Sequence, residues 1–274
     1  MSLSSGRRAH AVIGYGRLAR ALVPALRAAG ETVVIGRRSP AAGELAPAEA
    51  VRAADWVWLT VPDDHIAATA ATLPWRAGQL ALHCSGATPL SAVAPAPAAA
   101  GFHPLKLLAG DADLAGAHVG IEADPAHRPA LEALARAMGL VPLALPTPMS
   151  APARAAYHAA ANLAASGVLA VLADAQALWR SAGLAEGEAL AALTPLTQGA
   201  LATALARGLP GAVSGPVARA DVGVLARHLQ ALAAAGLDDD LLQALARRQL
   251  ALAQAAGRLS ETQVTTLQAH LGKA

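Results

Sequence analysis

The apolar positions of this chain follow two rhythms, and the change between them falls near residue 149. Before it, short apolar runs at 9–13, 32–35, 55–61, 79–83, 118–123 and 140–145 read as buried strands bounded by Gly, Pro and Asp. Between them lie stretches with helical spacing, at 17–29 closed by Gly30 and at 125–138 closed by Gly139. Residues 40–50, rich in Pro, Ala and Glu, read as a loop with a short helix. Strand and helix alternating in this way predict a parallel sheet covered on both faces. From residue 152 onward no strand pattern occurs. A long helix is expected over 152–180, then a helical region over 186–207 that Pro195 kinks or splits, and a glycine/proline loop over 208–216. Asp221 opens a helix to 235, Asp238 another to about 256, and Ser260 with Gln263 forms the capping box of the last. Prolines 142, 146, 148 and 152 bracket the switch. The expected organisation is therefore α/β followed by all-α, with domains at 1–149 and 150–274.

The first strand runs into Gly14-Tyr15-Gly16-Arg17-Leu18-Ala19, a G-x-G-x-x-A turn between a strand and a helix. With a second strand at the expected distance this is a dinucleotide-binding fingerprint of the doubly wound Rossmann type. Gly14 permits the sharp turn. Gly16 lets the backbone approach a pyrophosphate. Ala19 lets the helix pack closely on the strand. The helix N-terminus offers free N–H groups and a partial positive charge to phosphate.

The end of the second strand selects the cofactor. An NAD site places Asp or Glu there to accept from the ribose 2′-OH. This chain has Arg37, Arg38 and Ser39, whose guanidiniums and hydroxyl suit a 2′-phosphate, so NADP(H) is expected. Thr60, Val61 and Pro62 follow the third strand as neighbours of the adenosine and ribose, with Asp63 or Asp64 capping the next helix. Two further strand ends concentrate polar groups, His83-Cys84-Ser85-Gly86 and Phe102-His103-Pro104-Leu105. Ser85 can donate to a carboxamide or a substrate carboxylate. His103 serves as a catalytic candidate, or as part of a rigid turn with Pro104.

The long helix carries Tyr157, His158, Asn162 and Ser166. The last three are spaced by four and lie along one stripe of an Ala/Leu helix. Such a stripe is either a solvent face or the wall of a reaction cleft. Hydride transfer to a carbonyl leaves an alkoxide that needs a proton donor, for which His158 is suited, and an orienting hydrogen bond, which Asn162 can give. Ser214 and Arg219 are candidates for holding a substrate carboxylate, although Arg219 could instead pair with Asp221.

Composition narrows the class. The 274 residues are 55% hydrophobic and only 3% aromatic, so the core is built from small aliphatic side chains. A net charge of +2 gives no sign of a nucleic-acid surface. The single cysteine, Cys84, fits a reducing cytoplasm. The N-terminal segment lacks the apolar core of a secretory signal. Arg154, His158, Asn162 and Asp174 interrupt the most apolar helix, so no membrane span is expected. The expected partner is a small-molecule substrate, and no metal is expected.

The Gly14–Ala19 turn, Asp55 to Asp64, His83-Cys84-Ser85-Gly86, Gly101-Phe102-His103-Pro104-Leu105, Tyr157-His158-Ala159-Ala160-Ala161, and Ser214 to Asp221 with His228-Leu229 together resemble the DUF2520 family of NADP oxidoreductases. The chain departs from that pattern at Gly167, where the family usually has Asn, and at Ala220, where it usually has Gly. The resemblance implies the architecture of the 6-phosphogluconate dehydrogenase-like superfamily and a helical second domain that makes homodimers. His158 and Asn162 have the spacing of the Lys-x-x-x-Asn pair of ketopantoate reductases, with His in place of Lys. The Gly-x-His-Pro element is similar to that of prephenate and arogenate dehydrogenases. These likenesses imply an NADP(H)-dependent oxidoreductase acting on a small oxo or hydroxy acid, ketopantoate among them. An imine or prephenate-type activity, and a non-catalytic NADP-binding sensor, are the alternatives.

Overall fold

The structure is a computed structural model that describes residues 8–109 and 113–271. Its strands are β1 (Ala9–Ile13), β2 (Thr32–Gly36), β3 (Trp56–Leu59), β4 (Leu80–His83), β5 (Ala98–Pro104), β6 (His118–Glu122) and β7 (Val141–Ala144). They form one seven-stranded sheet in the order β2-β1-β3-β4-β5-β6-β7. All neighbours are parallel except β5 and β6. Helices α1 (Arg17–Ala28), α2 (Pro47–Arg52), α3 (Ile66–Thr72) and α4 (Arg128–Ala137) accompany the sheet.

The strands alternate between two cores. Val12, Trp58, Leu82, Phe102 and Ile121 face one layer with Leu22 and Leu26 of α1. Ala11, Ile13, Val57, Leu59 and Ala81 face the other with Val51 and Ile66. Burial on both faces accounts for strands that read as continuous apolar runs. Aromatic pieces key the centre, where Trp58 meets Phe102 edge-on at 5.1 Å and donates to His10 Nδ1 at 2.9 Å.

The first compact unit runs to Leu163 and includes α5 (Ala151–Asn162). The rhythm change at 149 marks where helix replaces strand, but α5 stays with the sheet because Arg154 pairs with the buried Glu122 of β6 at 2.5 Å. The expected single helix over 152–180 is interrupted by a π turn, Leu163–Gly167, that contains Ser166 and Gly167.

The second unit, Ala164 onward, is all helix: α6 (Val168–Ser181), α7 (Glu186–Ala212), α8 (Val222–Ala234), α9 (Asp240–Ala255) and α10 (Glu261–His270). Asp221 caps α8, accepting from Val224 N at 3.0 Å, and Ser260 with Gln263 caps α10. The helix is not split at Pro195. The ladder is broken at Gly208, where the helix was expected to end, with φ +71°, and residues 209–212, expected as loop, resume the helix. Pro195 forfeits one N–H bond and keeps helical backbone angles, whereas the left-handed conformation at Gly208 ends the ladder. Val217, Leu225, Leu250 and Leu267 form this unit's core.

Candidate functional site

β1 and β3 lie side by side while β2 turns off in the opposite direction, and such a switch point is where open α/β sheets receive ligands. A cavity of about 630 Å³ opens there. Gly14 stands at its floor with φ +95°, donating to Gly36 O at 3.0 Å. A Cβ at Gly14 would lie 3.2 Å from Val61 Cγ1, so both conformation and space require glycine. Gly16 differs. A Cβ there would meet nothing within 4 Å, so no protein contact accounts for its lack of a side chain. Gly16 is also the N-cap of α1, makes no side-chain cap bond, and no acidic residue follows in the first turn. Ala19 is fully buried against the sheet. An open helix N-terminus beside a bare glycine is the arrangement that a pyrophosphate fits.

Tyr15, Arg37, Arg38, Ser39, Val61 and Pro62 line the same cavity. Arg17 is exposed at the start of α1, and Leu18 packs against the core. Arg37 is already engaged, with Nη1 at 3.3 and 3.2 Å from the carboxylate oxygens of Glu44. Glu44 also accepts from Ala41 N, and that bond, ahead of Arg37, holds its carboxyl below the usual carboxylate range. Arg38 is exposed and makes no hydrogen bond or ion pair with other described residues. It is the guanidinium most available to a 2′-phosphate. Thr60 lines the cavity as expected, but its hydroxyl donates toward Ile13 O and Gly14 O at 3.0 Å each, clamping the turn. Sequence reasoning missed His65, Ala68, Thr69 and Thr72, which complete the wall. They are visible only once α3 is known to follow β3 across the cavity mouth.

Asp63 and Asp64 do not cap the next helix. Asp63 instead accepts from the Ser85 hydroxyl at 2.5 Å, and Ser85 Oγ in turn accepts from Ala87 N and Thr88 N at 3.2 and 3.0 Å. Ser85 thus organises the loop after β4, and its own proton is committed to Asp63.

A second group lies along β5, β6 and α5. His103 pairs with Gly120 across the strands, and a Cβ at Gly120 would stand only 2.4 Å from Tyr157 Oη. The missing side chain admits the phenol, which lies 2.9 Å from His103 Nδ1. Burial, then the nearby His158, lowers the His103 pKa, while burial raises that of Tyr157. Both are therefore neutral at neutral pH and share one hydrogen bond, its donor set by the His103 tautomer. Gly86 completes the seat, since a Cβ there would stand 2.7 Å from the His103 ring. His158 and Asn162, both exposed, share a groove of about 500 Å³ with Pro89, Met149, Arg154 and small alanines. Sequence reasoning named neither the Tyr157–His103 bond nor the Arg154–Glu122 pair. In each case the partners lie far apart in sequence.

On the second unit, Ser214 and Arg219 are both exposed. Ser214 lines a groove with Thr203, Arg207 and Arg258, and Arg258 bonds Val213 O and Gly211 O. Arg219 makes no ion pair with Asp221 among the described residues; Asp221 accepts from Val224 N as a helix cap. Ala220, where the resembling family usually has Gly, has φ +55°.

Residues 117–249 match the family model described as a domain of unknown function, DUF2520. Residues 10–84 match the one described as NADP oxidoreductase, coenzyme F420-dependent. The resemblance read from the motifs therefore stands, and the class these matches support is an NADP-dependent oxidoreductase. No curated protein matches the chain. Among solved structures, protein TM1727 from Thermotoga maritima has a TM-score of 0.68 at 20% identity, covering 90% of this chain and 98% of that one. A reductive aminase from Aspergillus terreus, in complex with NADPH and ethyl-5-oxohexanoate, has a TM-score of 0.64 at 18% identity, covering 92% and 94%. An imine reductase variant from Myxococcus stipitatus, in complex with NAD+, has 0.61 at 16%, covering 96% and 99%. At these identities the likeness is one of fold.

Proposed function

We propose that this chain binds NADPH in the cavity at the β1–β3 switch point and reduces a small carbonyl compound, with a 2-oxo acid as the leading substrate class. The observation that carries the cofactor reading is Gly16, whose side-chain space is open while the helix N-terminus beside it is uncapped. Arg38 and Ser39 would hold the 2′-phosphate, and Arg37 would join them from its pair with Glu44.

Bound NADPH supplies the hydride. The residues of this chain supply position and protons. His158 stands on the groove wall as the proton donor to the oxygen that gains charge, and Asn162, one turn further along, orients that oxygen. His103, its Nδ1 occupied by Tyr157, presents the opposite ring nitrogen in a fixed direction. Small side chains at Ala87, Ala155 and Ala159 leave the groove suited to a compact substrate.

Reduction of an imine is the second reading. Likeness in fold to imine reductases and reductive aminases favours it. So does the absence of a free guanidinium from the groove lining, where Arg154 is committed to Glu122.

The chain is read as a homodimer acting in a reducing, cytoplasmic setting. The helical stretches Ala151–Ser181 and Glu186–Ala212 are long and apolar enough to cross a membrane, and almost none of either is buried within the chain. Leu169, Leu196, Leu201 and Leu205 are exposed on them, and a second copy of the same helices is the cover proposed for that surface. Cys84 is buried, and burial pushes its thiol up to about 12, so it stays unreactive.

The test is NADPH oxidation by the purified protein with ketopantoate, other 2-oxo acids, and cyclic imines, with NADH in parallel. Turnover of a 2-oxo acid with NADPH supports the leading reading. Turnover of imines alone transfers it to the second. Tight NADPH binding with no turnover points to a cofactor sensor.

A further inference from the structure

Two cavities of the first unit are joined by one hydrogen bond. Val61, Pro62 and His65 line the cavity at the β1–β3 switch point, and Ala87 and Pro89 line the groove of His158 and Asn162. Asp63 belongs to the rim of the first, and Ser85 stands at the root of the loop that reaches the second. The Ser85 hydroxyl donates to Asp63 Oδ2 at 2.5 Å, the short distance of a hydrogen bond to a carboxylate. Asp63 is exposed and Ser85 is buried, so the bond ties a buried hydroxyl to the segment that leaves β3.

The loop is wound round that hydroxyl. Ser85 Oγ accepts from Ala87 N at 3.2 Å and from Thr88 N at 3.0 Å, which fixes the two residues after Gly86. Among the described residues no other side chain hydrogen-bonds the backbone of residues 86–89. Gly86 lies against His103. A Cβ on Gly86 would stand 2.7 Å from His103 Cε1, 2.9 Å from Nδ1 and 3.2 Å from Nε2, so backbone covers that edge of the ring. Nδ1 is the atom paired with Tyr157. A rotation of the loop about Ser85 would therefore move the seat of His103 and the wall of the groove together.

We propose that Asp63 is a positioning residue: through Ser85 it holds the loop 85–89 where it seats His103 and forms the groove wall, so the rim of one cavity sets the geometry of the other. The placement of the loop stands by itself, and its consequence for turnover rests on the reduction proposed above.

The test compares Asp63→Ala, Asp63→Asn, Ser85→Ala and the Asp63→Ala/Ser85→Ala double variant of the full chain. The first readout needs no activity. It is the NMR ring signal of His103, assigned through His103→Gln and recorded near pH 8, where the imidazole is neutral. Asp63→Ala should shift the signal. Asp63→Asn keeps an acceptor for the hydroxyl and should leave it near the parental position. The double variant should match Ser85→Ala, because without the hydroxyl Asp63 has no hold on the loop. The second readout is kinetic. With a substrate that turns over, Asp63→Ala should lower kcat/KM by about fivefold or more, with NADPH affinity within about twofold of the parent. An unmoved ring signal in Asp63→Ala overturns the proposal, as does parental kcat/KM where the parent turns over. An Asp63→Ala effect that persists in full on top of Ser85→Ala also overturns it, because Asp63 would then act by another route. Asp63 is exposed, so Asp63→Ala decides even if Ser85→Ala does not fold. A parent that turns over no substrate sinks the proposed reduction alone, and the ring signal still decides the role of Asp63.

Discussion

The Tyr157 hydroxyl sits 2.9 Å from His103 Nδ1, in the space that Gly120 leaves by having no side chain. A helix residue and a strand residue are thereby joined into one hydrogen-bonded pair beside the groove of His158 and Asn162. Tyr157→Phe removes the bond and keeps the ring. Turnover should fall by roughly ten- to a hundredfold while NADPH affinity stays unchanged. Gly120→Ala should give the same phenotype, because the new Cβ would stand 2.4 Å from the phenol oxygen and displace it. Steady-state kinetics with a parallel NADPH titration check both.

Arg37 and Arg38 adjoin in sequence but differ in the structure. Arg37 is paired with Glu44, and Arg38 is free of protein partners among the described residues. Arg38→Ala should therefore raise the NADPH dissociation constant by about tenfold or more and leave that of NADH nearly unchanged. Arg37→Ala should cost less, since that guanidinium is already engaged by Glu44. Fluorescence titration with both nucleotides distinguishes the two arginines.

The lining of the cavity at the β1–β3 switch point was largely legible in the sequence because its parts are local. The turn from Gly14 to Ala19 and the Arg37–Ser39 strand end are contiguous stretches whose chemistry follows from spacing. The second group was legible only as its separate members. Nothing local in Tyr157 points to His103, and nothing in Arg154 points to Glu122, because their meeting depends on β5 and β6 pairing antiparallel beneath α5. Two local expectations also failed for physical reasons. Asp63 accepts from Ser85 rather than capping a helix, and α7 runs through Pro195 without a split and resumes after Gly208 where a loop was expected.

Acid should weaken the fold through His83. Burial, then the nearby Arg154, lowers its pKa to about 4 against the nearby charges of Glu122 and Asp63. The folded state therefore holds it neutral where the unfolded chain, titrating near 6.5, takes up a proton. Its contribution is present above about pH 6.5 and is lost as pH falls toward 4, by about 1.4 kcal/mol per pH unit. His10, also held down by burial, acts in the same direction. Denaturant unfolding between pH 7.5 and 4.5 should show this slope, and His83→Phe should flatten it.

Ala220 carries a backbone strain. At φ +55° and ψ +34° it is left-handed, a conformation costing an L-residue about 1 kcal/mol. Ala220→Gly should stabilise the second unit by up to about that amount, offset by the entropy glycine loses on folding. Thermal unfolding of the full chain measures it.

The most direct test of the account is NADPH binding by Gly16→Ala. The added Cβ meets no protein atom within 4 Å, so the variant should fold with a thermal midpoint close to that of the parent. The same methyl stands where a pyrophosphate must approach the backbone. The account predicts a loss of NADPH affinity of at least about tenfold with stability retained. Parental affinity in a folded Gly16→Ala protein would contradict it.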